Sequence, residues 1–367
     1  MKKVIGRLFL LIILVIAIIV GGLYFYCIVE KENQKEVVNE VFEDNIEYQY
    51  YYEKLDDNDQ ESYRFIYYAF KTFQKEITID NISLQQVEKI YNDVLMDHPE
   101  IFYVKTSFRY IQKDNNIQIM PQYSYDKEEV KTYNQKIEKE TQSIMKQANK
   151  ETTSLNKMKI IYDYLIETIS YQNNDDDQNI LSALIDKKSV CAGYAKAYQY
   201  LLLKVGIKSA YLTGTAIENN ESHAWVMVCI QDDYYYSDPT WGDIEDKEMK
   251  HHCYATFLMN SEEMLKCYKP SERYEKTSSN EINYYQNIDC YMEEYDQSIL
   301  SYAVKLGLKN ETRIAEVKCA NDVVYQQLKK NIKNSYLAYN VLTENRCYNG
   351  KARYSYRDDL RIIELFY

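Results

Sequence analysis

Glycine is scarce in this chain of 367 residues: there are nine, and four of them, Gly193, Gly206, Gly214 and Gly242, fall between Ser189 and Asp243. Both tryptophans, Trp225 and Trp241, lie in the same stretch. A residue type used so sparingly and then concentrated marks a place where backbone geometry matters.

Other absences narrow the function. The eight cysteines stand singly with no CxxC pair, which argues against a structural zinc site. The net charge is −12 and no basic run follows the first seven residues, so nucleic-acid phosphates find no partner. The acidic turn NNDDDQ lacks the glycine and terminal glutamate of a calcium loop. His98, followed by Pro99 and without an acid or thiol at metal-ligand spacing, reads as a polar residue ending a helix. No cofactor and no metal ligand are assigned. Forty tyrosines scatter through all predicted elements, which reads as compositional bias and not as a binding device.

What is present concentrates after Ser189. The apolar positions Tyr194, Ala197, Tyr198, Leu201, Leu202 and Val205 recur at helical spacing, so Cys191 opens a mostly buried helix that Gly206 ends. The N-terminal end of a helix favours the thiolate, which is the nucleophilic form of cysteine. A strand follows in IKSAYLTGTA, then a second in SHAWVMVCI, where alternation sets His223, Trp225, Met227 and Cys229 on one face. His223 stands near the start of that strand. The third strand, YYYSD, stops at Pro239 with Asp238 as its last residue, and adjacent antiparallel strands bring Asp238 beside His223. Asp238 also suits the turn DPTWG as a cap. Cys191, His223 and Asp238 are the candidate nucleophile, base and orienting acid.

The blocks CAGYA, GIKSAY, SHAWV and DPTWGD, in that order, resemble the transglutaminase-like superfamily across roughly residues 150–270. The resemblance implies an α+β fold with a papain-like core, in which a helix bearing the cysteine packs on an antiparallel sheet bearing the histidine and the aspartate. It carries the triad roles onto Cys191, His223 and Asp238, and it implies attack on amides through a thioester acyl-enzyme. Its segment before the cysteine, here NILSALIDKKSV, helps to build an oxyanion hole. Metazoan crosslinking members have glutamine before the cysteine and tryptophan after it, whereas Val190 and Ala192 stand here. The likeness is therefore to the microbial, peptidase-like branch, and hydrolysis of peptide or protein amides is expected over crosslinking. Peptides of the cell envelope are among the expected substrates in a bacterial setting. The competing reading is a non-catalytic envelope protein that binds peptides or scaffolds a complex on the same fold.

Ahead of this core, MKKVIGR gives way to twenty-two uncharged residues from Leu8 to Val29, long enough to cross a bilayer as a helix. No small-x-small cleavage site follows, and Tyr24, Phe25 and Tyr26 suit an interfacial belt. Lys2, Lys3 and Arg7 in front place residues 1–7 in the cytoplasm and the rest outside, as a single-pass membrane protein. Residues 30–149 read as an α/β region of helices, two short strands and a long polar helix. Residues 150–270 form the core, with a further strand near ATFLM. His251 and His252 are loop-borne and weak base candidates. Residues 271–367 read as a second α/β unit: a helix, a strand, one long helix over VVYQQLKKNIKNSYLAYNVL and a terminal hairpin. Besides Cys191 and the membrane-borne Cys27, six cysteines remain, which fifteen disulfide pairings could accommodate.

Overall fold

The computed structural model describes residues 48–367 except 175–176, 246–249, 272, 279–281 and 335, and ahead of these only residues 20, 29, 32–33 and 35–43. The apolar run 8–29 and Cys27 therefore lie, apart from Val20 and Val29, outside the described residues. Among the described residues no helix is long and apolar enough to cross a membrane.

Two compact units emerge. Among the described residues, the first comprises those up to 43 together with 52–94 and 104–123. Its helix α1 (Asp57–Thr72) starts at Asp56, whose carboxylate accepts from the Asn58 and Asp59 amides, satisfying orphan donors of the first turn. A short strand β1 (Ile77–Ile79) precedes helix α2 (Leu84–Asp97), and the hairpin β2 (Val104–Lys113) and β3 (Asn116–Tyr123) completes an antiparallel sheet in the order β1-β3-β2. Ile66, Tyr67 and Phe70 of α1, Val87, Ile90, Tyr91 and Val94 of α2, and Ile117 and Ile119 of β3 are fully buried. Their i, i+3, i+4 and i+7 spacing on α2 is what gives that helix its single apolar face.

The second unit comprises residues 48–51, 95–103 and 124–367. Helix α3 (Lys127–Ala148) opens with a capping box between Asp126 and Glu129. It reads as polar, yet it buries Val130, Ile137 and Ile144 and packs on α4 (Ser154–Thr168). Short strands β4 (Ser170–Tyr171) and β5 (Lys188–Ser189) pair in parallel and lead into α5 (Cys191–Lys204). The central sheet contains β6 (Ser209–Ala216), β7 (Ser222–Ile230) and β8 (Asp233–Ser237), all antiparallel. After α6 (Pro239–Gly242) come the short strands β9 (Asp243–Glu245) and β10 (Lys250–His252). Helix α7 (Ser261–Cys267) then delivers β11 (Tyr268–Pro270) to the open edge of β6, giving the order β11-β6-β7-β8.

A second four-stranded sheet closes the chain. Helix α8 (Tyr284–Asn287) and β12 (Tyr291–Met292) come first, followed by α9 (Gln297–Lys309) and β13 (Ile314–Cys319). Helices α10 (Asp322–Asn334) and α11 (Leu337–Glu344) lead to the hairpin β14 (Arg353–Arg357) and β15 (Ile362–Phe366), in the order β12-β13-β15-β14. The single long helix expected here is two, because Tyr336 takes left-handed backbone at φ 51° ahead of α11. The strand expected near ATFLM is a single bridge between Met259 and Tyr236. His252 lies on β10 and not in a loop.

Candidate active site

Cys191 is the first residue of α5, and the preceding residues fix where that helix begins. Val190 is extended and offers no side-chain cap, while its carbonyl oxygen accepts from the Gly193 amide at 3.0 Å and the Tyr194 amide at 3.1 Å. Ser189 is fully buried, with Oγ 2.6 Å from Ser182 Oγ and 3.0 Å from the Asp177 carbonyl oxygen. Gly193 closes this corner: a Cβ there would stand 1.9 Å from Ser189 Oγ. At the other end, Gly206 takes φ 77°, the left-handed conformation that ends a helix with least strain.

His223 stands one residue into β7, with Gly214 of β6 directly opposite. A Cβ at Gly214 would meet the Lys269 carbonyl oxygen at 2.2 Å, so only glycine lets β11 approach at this point. Asp238 follows the last residue of β8 and is fully buried. Its Oδ1 accepts from the Thr240 amide at 2.9 Å and the Trp241 amide at 3.4 Å, capping α6. Its Oδ2 lies 2.7 Å from His223 Nε2. Asp238 thus caps the turn and holds the histidine with different oxygens, and Nδ1 is the ring nitrogen left for Cys191, whose side chain also bears on the ionisation of His223.

Burial alone would lower the His223 pKa. The charge of Asp238, its hydrogen bond and the Cys191 side chain outweigh it and raise the pKa to about 10. The ring is therefore an imidazolium at neutral pH in this setting. Burial raises the pKa of Cys229 and Cys347, takes Cys267, Cys290 and Cys319 to about 12, and holds Cys253 well above the usual thiol range. None of the described cysteines is disulfide-bonded.

Two residues of this cluster carried no signal in the sequence. Tyr268, the first residue of β11, donates its hydroxyl to Asp238 Oδ2 at 2.6 Å. Burial, and then the Asp238 charge, raise the Tyr268 pKa well above normal, so it stays a donor. Its ring stacks on His223 with centroids 5.4 Å apart and on Trp225 at 4.4 Å, while Trp241 tilts against the imidazole at 5.3 Å. Tyr171 of β4 is 52% exposed and lies near enough to Cys191 that, after burial, the sulfur's charge raises its pKa. No motif marks either tyrosine, since both are reached only through strand pairing.

The other histidines with described side chains fall elsewhere. His98 pairs with Glu100 at 3.0 Å, and His252 lies 3.9 Å from Glu167. A cleft of about 990 Å³ in the first unit, lined by residues such as Asp56, Asp59, Glu61 and Gln86, contains neither cysteine nor histidine.

Half-buried Cys191 thus lies with the buried pair His223 and Asp238 where a helix start meets an antiparallel sheet, an arrangement that suits nucleophilic acyl chemistry. Residues 141–239 of the chain match the family model of the Transglutaminase-like superfamily. Among solved structures, the chain is similar to a TGase (12% identity, TM-score 0.30), covering 47% of this chain and 53% of that one. It is also similar to a candidate cysteine protease from Cytophaga hutchinsonii (13% identity, TM-score 0.26), covering 36% of this chain and 61% of that one. A third is the periplasmic domain of TgpA from Pseudomonas aeruginosa (15% identity, TM-score 0.24), with 34% and 54% covered. The chain thus spans about half to three-fifths of the length of these structures. No curated protein matches it.

Proposed function

We propose that this protein is a cysteine amidase or peptidase of transglutaminase-like type, with Cys191 as nucleophile, His223 as acid and base, and Asp238 as the group that orients His223. The observation that carries this reading is the 2.7 Å contact between His223 Nε2 and Asp238 Oδ2 on an imidazole whose other partner is Cys191. The Cys191 thiolate attacks the amide carbonyl, and the amide hydrogen-bond donors at the start of α5 receive the developing oxyanion. His223 then gives its proton to the departing amine as the C–N bond breaks, leaving a thioester. Neutral His223 next takes a proton from water, whose oxygen attacks the thioester and releases the carboxylic acid and the thiolate.

Water is favoured as the second nucleophile because Ala192 follows Cys191 in place of the tryptophan of the metazoan crosslinkers. Selecting an amine over abundant water requires a walled, water-excluding acceptor site. The apolar run Leu8–Val29 behind Lys2, Lys3 and Arg7 supports an anchor that leaves the catalytic part outside the cell, with peptides or proteins of the envelope as substrates.

The test is brief iodoacetamide labelling near neutral pH with mass spectrometry, run beside amide-cleavage assays. Cys191 should be modified first, and Cys191→Ala should abolish cleavage. Preferential labelling of Cys229 or Cys347, or undiminished cleavage by Cys191→Ala, overturns the assignment. A protein that binds peptides but cleaves none would be the non-catalytic envelope alternative.

A further inference from the structure

A second cluster of reactive side chains lies in the same unit. Glu316 of β13 and Glu364 of β15 are direct cross-strand partners, so their side chains leave the same face of the C-terminal sheet. Cys253, from the segment that follows β10, meets them there, and one donor atom from each of the three lies within 4.8 Å of the others. Cys253 Sγ is 3.0 Å from Glu364 Oε1, and these two residues are 3% and 2% exposed.

Like charges directly opposite on paired strands repel, and a buried carboxylate needs a partner for each oxygen. Glu316 accepts from the Tyr254 amide at 3.1 Å and the Tyr285 hydroxyl at 3.3 Å. Arg357 supplies a positive charge, with Nε 3.3 Å from Glu364 Oε1 and a terminal nitrogen 3.7 Å from Cys253 Sγ. The two contacts to Glu364, from Arg357 Nε and Cys253 Sγ, both fall on one oxygen, Oε1. The other, Oε2, is buried and has no hydrogen-bond partner.

We propose that Cys253, Glu316 and Glu364 bind a divalent transition-metal cation, zinc by its chemistry, and so tie the C-terminal sheet to the segment behind Asp238. A sulfur donor excludes magnesium and calcium, which take oxygen ligands, and three protein donors plus water complete the four-coordinate shell that zinc favours. Two carboxylates and a thiolate bring three negative charges, which one guanidinium and one divalent cation cancel. Binding displaces the Cys253 thiol proton to solvent and gives Glu364 Oε2 a partner. The Tyr162 hydroxyl lies 3.2 Å from the Cys253 carbonyl oxygen and 3.0 Å from that of Asp238, and Thr256 Oγ1 donates to the latter at 3.0 Å. The cation touches no substrate; it holds the backing of Asp238 and acts by positioning.

The experiment uses the full-length protein in detergent, stripped with a chelator, on a Cys191→Ser background so that the thiol–imidazole pair cannot bind metal. Cobalt(II) titration should give one ion per chain with a sulfur-to-cobalt charge-transfer band, which zinc then displaces, and zinc should raise the melting temperature. Cys253→Ser should remove the band, and Glu364→Gln, which keeps size and shape, should weaken cobalt binding at least ~10-fold. Absence of the band in the parent, or equal affinity in parent and Glu364→Gln, overturns the proposal, and the latter comparison decides even if Cys253→Ser fails to fold. Because the readout is binding and not cleavage, the result is independent of the function proposed above.

Discussion

Tyr268 donates its hydroxyl to Asp238 Oδ2 at 2.6 Å, the same oxygen that His223 Nε2 meets at 2.7 Å. A carboxylate oxygen has two lone-pair directions, so the tyrosine fixes the carboxylate while leaving one direction for the imidazole. Tyr268 acts through Asp238 and is a positioning residue.

Replacing Tyr268 by Phe removes a hydrogen bond to a buried charge while keeping the stacked ring. Stability should fall by about 1.5–3 kcal/mol, since hydrogen bonds to charged groups are worth that much and the carboxylate is left under-satisfied. Urea denaturation of the variant beside the parent checks this. A change below ~0.5 kcal/mol would show that the hydroxyl contributes little to holding Asp238.

The raised pKa of His223 sets a pH dependence with a definite sign. The folded value of about 10 lies above the ordinary value of 6.5, so the imidazolium stabilises the fold fully below pH ~6.5 and progressively less as pH rises toward 10. Melting temperatures of the parent and His223→Gln should therefore differ most at and below pH ~6.5 and converge toward pH 10. In the same way the alkaline limb of kcat/KM should move to lower pH in Asp238→Asn, which loses the charge that supports the imidazolium. An unmoved limb would mean that another group titrates there.

Gly193 and Gly206 make a matched pair. A methyl group at Gly193 would collide with Ser189 Oγ at 1.9 Å, whereas nothing lies within 4 Å of one at Gly206, where the cost is the positive φ alone. Gly193→Ala should lose about 1–3 kcal/mol and slow alkylation of Cys191, because relief of the clash must shift the helix start. Gly206→Ala should lose about 1–2 kcal/mol from left-handed strain, with Cys191 reactivity unchanged. Thermal melts and labelling rates of the two variants separate these effects, and equal labelling rates would contradict the role given to Gly193.

The partition between water and amine is open to product analysis. With a glutamine-containing peptide and excess primary amine, cleaved or deamidated product should predominate over the amine adduct. A predominance of adduct would return crosslinking as the principal activity.

The proposed outward orientation is checked by protease added to intact cells, which should remove the bulk of the protein while leaving the first residues protected. Full protection would reverse the orientation drawn from Lys2, Lys3 and Arg7.

Local periodicity determined much of this protein. The helix from Cys191, its end at Gly206, the alternation that puts His223 with Trp225, and the strand that stops before Pro239 follow from spacing and backbone restriction among near neighbours. Such signals are short-range, so the three candidate residues and their elements were legible. Tertiary structure decided what long-range pairing controls. Tyr268 reaches Asp238 because β11 adds to the edge of β6, thirty positions further along the chain. Glu316 and Glu364 face each other only through the register of β13 and β15, and Cys253 joins them from another sheet's flank. The attachment of α3 to the second unit likewise rests on a buried face that its polar composition conceals. Contacts of this kind depend on which edges and faces the folded chain brings together, and no period of 2 or 3.6 residues encodes that choice.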